Sequence, residues 1–145
     1  MELYICQSCG HVAFHGKPAK CPVCTTYIFE RNDALFLESR EKNGEVEAKH
    51  IPAVTITTVC GFVPENNCTD VLVRVGTKLH PMEEKHFIRF IDCYCDAVYV
   101  GRSYLSPGLN PAACFHLKTN GKSVTLVEQC TIHGYWMTEA VIPEQ

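Results

Sequence analysis

Apolar and polar positions alternate with a period of two through much of the chain beyond Lys49. Asp70–Val75 sets Val71, Val73 and Val75 on one side, and Ala53–Val59 is rich in β-branched residues. Phe87–Ile91, Ala97–Val100, Ala113–Leu117 and Ser123–Val127 follow. Such segments fit strands, because successive side chains on a strand point to opposite faces. Asn66–Asn67, Ser106-Pro107-Gly108 and Asn120–Gly121 punctuate them with turn residues. About six or seven short strands at this spacing predict an all-β fold, an immunoglobulin-like antiparallel β-sandwich. No segment with helical period competes.

The chain before Lys49 reads differently. Cys6-Gln7-Ser8-Cys9-Gly10 and Cys21-Pro22-Val23-Cys24 are two Cys-x-x-Cys turns. Two such turns form opposed knuckles whose thiolates can meet tetrahedrally around one ion. Gly10 supplies the positive φ that brings backbone amides toward the sulfurs. The segment is too short for a core of its own, so the metal holds it folded. His11 and His15 lie inside this unit as exposed loop residues. Residues 30–48 carry a dense charge run with one apolar stretch, Ala34-Leu35-Phe36-Leu37, and a turn signal at Asn43–Gly44. They predict a linker with a short docked strand or turn, then a mobile charged loop. Two domains are expected, residues 1–33 and residues 34–145.

Composition narrows the chemistry. The chain has 145 residues, 46% of them apolar, and a formal net charge of −3. That charge argues against a basic nucleic-acid surface and gives no pull toward anionic membranes. No apolar run approaches the roughly 20 residues of a spanning helix. The N-terminus lacks the basic and apolar segments of a secretory signal. A cytoplasmic protein is expected, where thiols stay reduced. Ten cysteines and seven histidines then read as metal ligands more readily than as disulfides.

His80-Pro81-Met82-Glu83-Glu84-Lys85-His86 spaces two imidazoles around a proline and charged residues. Neither a helix nor a strand brings positions six apart together. A bent loop with His86 opening the next strand does. His50 stands between a charged loop and a strand, and Cys130-Thr131-Ile132-His133 can bite one metal from a single turn. Four imidazoles and one thiolate favour iron, copper or zinc. A structural zinc site closes at four ligands, whereas five leave one position of an octahedron open. A thiolate opposite that position pushes charge onto whatever binds there. The set therefore tilts toward redox catalysis.

These residues also carry resemblances. Tyr4–Val12 with Gly16 and Cys21–Cys24 resembles a rubredoxin-type knuckle pair, most similar to that of rubrerythrins. This implies an Fe(Cys)4 centre on Cys6, Cys9, Cys21 and Cys24, with zinc as the alternative. Lys49-His50-Ile51-Pro52, Val75–Gly76 with His80–His86, and Cys130–Trp136 resemble superoxide reductase, in its two-centre form desulfoferrodoxin. Pro107–Gly108 followed by Pro111–Ala112 fits the same family's strand-to-strand turn. The resemblance covers residues 49–136. It implies an iron with His50, His80, His86 and His133 in the plane and Cys130 axial. It further implies one-electron reduction of superoxide to hydrogen peroxide, an electron donor such as rubredoxin or a flavoprotein reductase, and a homodimer or higher homo-oligomer. Desulfoferrodoxins have adjacent last cysteines in the N-terminal unit, whereas here Cys21 and Cys24 are spaced. The family's glutamate before Lys49 is replaced by Ala48. Glu47 is a neighbouring candidate, although a shift of one residue in an extended loop reverses the side-chain direction. Lys49, a cation beside the open site, would attract superoxide and aid protonation.

Cys60, Cys68, Cys93, Cys95 and Cys114 remain. They read as core cysteines, with a redox disulfide or a further metal site as alternatives. His116 reads as a surface residue, and Tyr135, Trp136 and Phe87 as core or subunit interface. Beside the enzyme stand two other readings, a non-catalytic iron electron carrier or redox sensor and a zinc-stabilised binding module.

Overall fold

The computed structural model describes residues 1–40 and 44–144. In chain order the elements are β1 (Leu3–Cys6), β2 (Val12–Phe14), β3 (Phe29–Arg31), α1 (Leu35–Arg40), α2 (Gly44–His50), β4 (Pro52–Thr57) and β5 (Thr69–Val75). They continue with β6 (Ile88–Cys95), β7 (Val98–Tyr104), β8 (Ala112–Leu117), β9 (Ser123–Cys130) and β10 (Gly134–Val141). Three antiparallel sheets result, β2-β1-β3, β10-β9-β6-β7 and β4-β5-β8. The larger two form the expected sandwich, with Val71, Val73 and Val75 of β5 packed against Ile88, Ile91, Cys93 and Leu126.

The four-stranded sheet is covered on both faces. On its outer side Phe90, Tyr94, Val127 and Tyr135 pack with Leu3, Val12 and Phe36. The N-terminal unit thus shares a core with the sandwich. Double burial explains why β6 reads as a nearly continuous apolar run, Ile88-Arg89-Phe90-Ile91-Asp92-Cys93-Tyr94-Cys95, with Arg89 its one exposed residue.

One polar group in β6 fastens the two units. Asp92 is fully buried and accepts hydrogen bonds from Arg102 of β7 and from His11 Nδ1 at 3.1 Å. Arg102 Nη1 also donates to the carbonyl of Cys9 at 2.8 Å, and its guanidinium lies over the Phe90 ring at 3.6 Å. Tyr94 donates its hydroxyl to Val12 O and Tyr135 donates its own to Gly10 O. His11 is therefore buried, not exposed as its loop position suggests. Its ring fills the joint between the units, while His15 is exposed as expected.

The charged segment is not a linker with a strand or turn. Asn32 caps α1 through a bond from Ala34 N to its side-chain oxygen, and Phe36 turns inward to stack on Phe14. Helix α2 has Glu45 and Glu47 in its first turn and Lys49 and His50 in its last, matching the helix dipole. The chain pattern hid both helices because six and seven residues make under two turns, too few for an apolar repeat to stand out. Residues 41–43 of the expected mobile loop, including Asn43 of the turn signal, lie outside the described residues. Strand β10 is a further strand that alternation did not single out; Tyr135 and Trp136, adjacent and both buried, break its period.

The unassigned cysteines divide. Cys93 is core as expected, and Cys95 is buried with its sulfur 3.2 Å from Thr119 Oγ1. Cys114 is exposed on β8 rather than core. Cys60 and Cys68 are buried beside polar groups, outside the main apolar clusters. Among the described residues no helix is long and apolar enough to cross a membrane.

The buried Asp92 makes a stability prediction. Asp92→Ala leaves Arg102 without its partner inside the joint, which costs about 3–5 kcal/mol. Chemical denaturation should show a correspondingly lower midpoint, and a shift under 1 kcal/mol would mean that the pair does not hold the units together.

Candidate metal centres

Helix α2 ends on His50, and the chain then turns directly into β4. The turn closes against the segment after β5. Gly76 N donates to Ile51 O at 3.2 Å, and Lys78 N donates to Ala48 O at 3.0 Å. Gly76 has φ +83°, and a Cβ there would lie 2.7 Å from the Lys49 carbonyl. Only glycine lets these two backbones approach so closely. Two residues beyond Lys78, His80 is presented from the other side.

The His80–His86 loop is bent as expected. Glu83 and His86 exchange backbone hydrogen bonds at 2.9 and 3.0 Å, folding the loop back on itself. Strand β6 begins at Ile88, so His86 stands just before it. Cys130 ends β9 and His133 lies in the turn before β10.

The four imidazoles form a closed ring of neighbours. Ring centroids are 4.5 Å apart for His50–His80, 4.8 Å for His80–His86, 5.1 Å for His86–His133 and 4.8 Å for His50–His133. Cys130 Sγ lies 3.4 Å from His80 Nε2 and 3.8 Å from His133 Nδ1. Cys130, His50 and His80 are buried, while His86 and His133 are partly exposed, so the set opens toward solvent on one side. Trp136 stacks on His50 at 5.0 Å and donates its Nε1–H to His133 O.

The protons can be placed. His50 Nδ1 lies 2.6 Å from Val46 O, and His80 Nδ1 lies 2.6 Å from Pro81 O. Carbonyl oxygens only accept, so both Nδ1 atoms carry hydrogen and both Nε2 atoms carry lone pairs. Those two Nε2 atoms are 3.0 Å apart. Two lone pairs at that distance repel unless a cation lies between them. His86 Nε2 is buried without a hydrogen-bond partner among the described residues. The donor set therefore fits a divalent metal, and backbone carbonyls orient two of its imidazoles.

Electrostatics agree. Burial, with the neighbouring imidazoles adding to it, lowers His50 and His80 to about 4, so both stay neutral and able to ligate. Burial raises the Cys130 thiol, so a metal must displace its proton. Glu128, two residues before Cys130, is fully buried with both carboxylate oxygens unpartnered among the described residues, and burial holds it neutral.

Helix α2 changes the reading of residues 47–49. Lys49 is half-exposed, with its Nζ 3.6 Å from Glu45 Oε1 one turn earlier. Glu47 lines a shallow hollow with Ala48, Ile51, Pro52 and Thr77, apart from the imidazole ring. The structure does not bring its carboxylate to the site.

The N-terminal cysteines converge as well. Cys6 and Cys24 sulfurs are 3.5 Å apart, Cys9 and Cys21 sulfurs 3.7 Å, and all four lie within 4.8 Å of one another. A tetrahedral ion with metal–sulfur bonds of about 2.3 Å holds its sulfurs about 3.8 Å apart. Gly10 has the expected positive φ, +81°. Thr26, which the spacing did not flag, places its hydroxyl 2.9 Å from Cys24 Sγ and 3.4 Å from Cys6 Sγ. Burial raises Cys6, but the Thr26 hydroxyl and the amides of Cys9 and Ser8 outweigh it and lower the thiol to about 6.

A sandwich that gathers four imidazoles and a thiolate at its rim, beside a four-thiolate knuckle, is a two-centre metalloprotein of the oxidoreductase class. The desulfoferrodoxin family profile matches residues 42–139, and the chain belongs to that family. It is 32% identical to the desulfoferrodoxin of Syntrophotalea carbinolica over 141 residues, covering 96% of each chain. Solved superoxide reductases share the fold. That of Nanoarchaeum equitans matches with a TM-score of 0.57 and 26% identity, covering 66% of this chain and 94% of its own. The reduced superoxide reductase (neelaredoxin) of Archaeoglobus fulgidus matches with a TM-score of 0.55 and 26% identity, covering 66% and 91%.

In the metal-free protein His50 and His80 titrate near 4, against about 6.5 unfolded. Between these values the unfolded chain binds more protons, so stability falls as pH drops from about 6.5 toward 4. Glu128, held neutral, works in the opposite sense with one proton against two. The denaturation midpoint of metal-free protein should therefore be lower at pH 4.5 than at pH 6.5, and the slope shallower in His80→Gln. Gly76→Ala should push the end of α2 away from the Lys78 segment. Metal content at the histidine centre should fall well below one per chain, with the cysteine centre retained. Full metal loading would show that the close approach is not needed.

Proposed function

We propose that this chain is a superoxide reductase, which takes superoxide, one electron and two protons to hydrogen peroxide without releasing oxygen. The observation that carries the reading is the closed ring of four imidazoles around two facing Nε2 lone pairs, with the Cys130 sulfur beside it. His50, His80, His86 and His133 would hold the metal through their imidazoles and Cys130 through its sulfur. When bound there, iron supplies the one-electron couple and an open position for the anion.

The remaining work falls to the chain. Cys130 would give up its proton to ligate and would supply a strongly electron-donating thiolate to the centre. The partly exposed edge at His86 and His133 gives a small anion access. Lys49 supplies a cation next to His50. Its pairing with Glu45 is exposed and worth little, so the ammonium is free to swing to the anion and to hold water for proton delivery. Glu47 would have to leave its hollow to cap the open position, and no carboxylate stands at residue 48 to do so. The electron comes from an external donor such as rubredoxin or a flavoprotein reductase. The cysteine centre on Cys6, Cys9, Cys21 and Cys24, holding iron or zinc, sits in the unit that packs on the outer face of the four-stranded sheet. Exposed Val98, Val100 and Tyr104 on edge strand β7 offer an apolar surface for homodimer formation.

Peroxide formed per superoxide consumed, with oxygen measured together, tests the reaction. One peroxide per superoxide with no oxygen is expected. One peroxide per two superoxides with oxygen released would show dismutation, and a coloured protein inert to superoxide would show an electron carrier or sensor. Lys49→Ala should slow the second-order reaction with superoxide by about tenfold and flatten its salt dependence. Glu45→Gln, which frees Lys49 and removes a negative charge, should leave the rate unchanged or raise it. Equal rates for Lys49→Ala and the parent protein would remove lysine from the mechanism.

A further inference from the structure

The sandwich carries a third cluster of donor groups, apart from both centres described above. Cys60 lies in the loop after β4, Cys68 immediately precedes β5, Asp70 is in β5 and His116 is in β8. Asp70 and His116 are directly paired across the β5–β8 register. His116 Nδ1 is 2.7 Å from Asp70 Oδ1 and 3.5 Å from Cys60 Sγ, and Cys68 Sγ is 3.6 Å from Asp70 Oδ1. One donor atom from each of the four lies within 4.8 Å of the others. Both thiols are buried, and the carboxylate and ring close the cluster from the solvent side.

We propose that Cys60, Cys68, Asp70 and His116 form a third metal site, which binds one zinc ion tetrahedrally. Two sulfurs, one imidazole nitrogen and one carboxylate oxygen are an established donor set for zinc, and four protein ligands close the coordination shell. A closed shell makes the site structural rather than catalytic. The second ring nitrogen, His116 Nε2, lies 3.8 Å from Cys114 Sγ, which gives the ring a partner on its outer side. On binding, the two thiols give up their protons to solvent, His116 ligates through Nδ1 as the neutral ring with its proton on Nε2, and the Asp70–His116 hydrogen bond is exchanged for two metal bonds.

The loop explains what the ion would do. Between Cys60 and Cys68 it exposes Phe62 and Val63, with Val59 just before it, so little apolar burial holds it. A metal joining Cys60 to β5 and β8 would tie that loop to the sheet. The site lies at the far end of the β4–β5 pair from the histidine centre, since β4 starts after His50 and ends toward Cys60. A seven-residue strand at about 3.3 Å per residue puts them roughly 20 Å apart. The proposal therefore does not depend on the reaction assigned to the histidine centre.

Metal analysis of the full-length protein, purified anaerobically with both other centres loaded, tests it. The expected result is one zinc equivalent beyond those two centres. That equivalent is lost in Cys60→Ser and Cys68→Ser and bound at least tenfold more weakly in Asp70→Asn and His116→Gln. Unchanged spectra of the other centres in the same samples show that each variant is folded. Cobalt added to zinc-depleted protein should give tetrahedral cobalt–thiolate bands that Cys60→Ser abolishes. The same zinc content in parent and variants would overturn the proposal. So would a Cys60–Cys68 disulfide in the isolated protein with no zinc taken up after reduction. Should a variant lose its other chromophores, cobalt titration of the parent decides, and absence of the cobalt–thiolate bands would sink the site.

Discussion

Two imidazole nitrogens with lone pairs facing each other at 3.0 Å set the terms for the rest of the molecule. That arrangement is repulsive without a cation, and it is not an accident of loose side chains. His50 is fixed through Val46 O and His80 through Pro81 O, both by backbone carbonyls. The carbonyls are fixed in turn, one inside α2 and the other by the proline that opens the bent loop. Gly76 then lets the backbone at the end of α2 approach the segment that leads to His80. The backbone thus aims both lone pairs at one point, and a cation there turns their repulsion into two bonds.

The second constraint is the double burial of β6. A strand with one face on the sandwich core and the other under the N-terminal unit leaves only Arg89, at its start, facing solvent. Asp92 is there nevertheless, and it is tolerated because Arg102 and His11 satisfy it from opposite sides of the joint. Removing either neighbour would expose the cost of burying the carboxylate. Because Arg102 also donates to the Cys9 carbonyl, the same ion pair anchors a knuckle of the cysteine centre. The N-terminal unit is small enough to need its metal, yet its orientation comes from the sheet beneath it.

Local chemistry was legible in the sequence wherever a residue type and a short spacing sufficed. The two Cys-x-x-Cys turns, the Cys130–His133 pair and the bend at Pro81 are of that kind, and alternation marked most sandwich strands. What stayed hidden depends on contacts between distant segments. His11 reads as a loop histidine until Asp92, 81 residues later, is seen to hold it. Helices α1 and α2 are too short for periodicity to reveal, and a reversed direction at Glu47 holds only for extended chain. In the helix the side-chain direction turns by about 100° per residue rather than reversing. The Cys60–Cys68–Asp70 spacing was present in the sequence, but His116 joins it only through the β5–β8 register.

That register links the sandwich to its sites. In the three-stranded sheet β4 is an edge strand, hydrogen-bonded to β5 alone. A slip of one residue between them would turn Val71, Val73 and Val75 out of the core. It would also carry His50 away from His80 at one end and Cys60 away from Asp70 at the other. The alternation of β5 protects the register from within, since Leu72 and Arg74 face outward while the valines face inward. Donor groups at the two ends add a check of a different kind, because ligand geometry rejects displacements that hydrophobic packing would tolerate. An edge strand pinned at both ends in this way is poorly available for pairing with another chain, whereas β7, an edge of the other sheet, exposes Val98, Val100 and Tyr104.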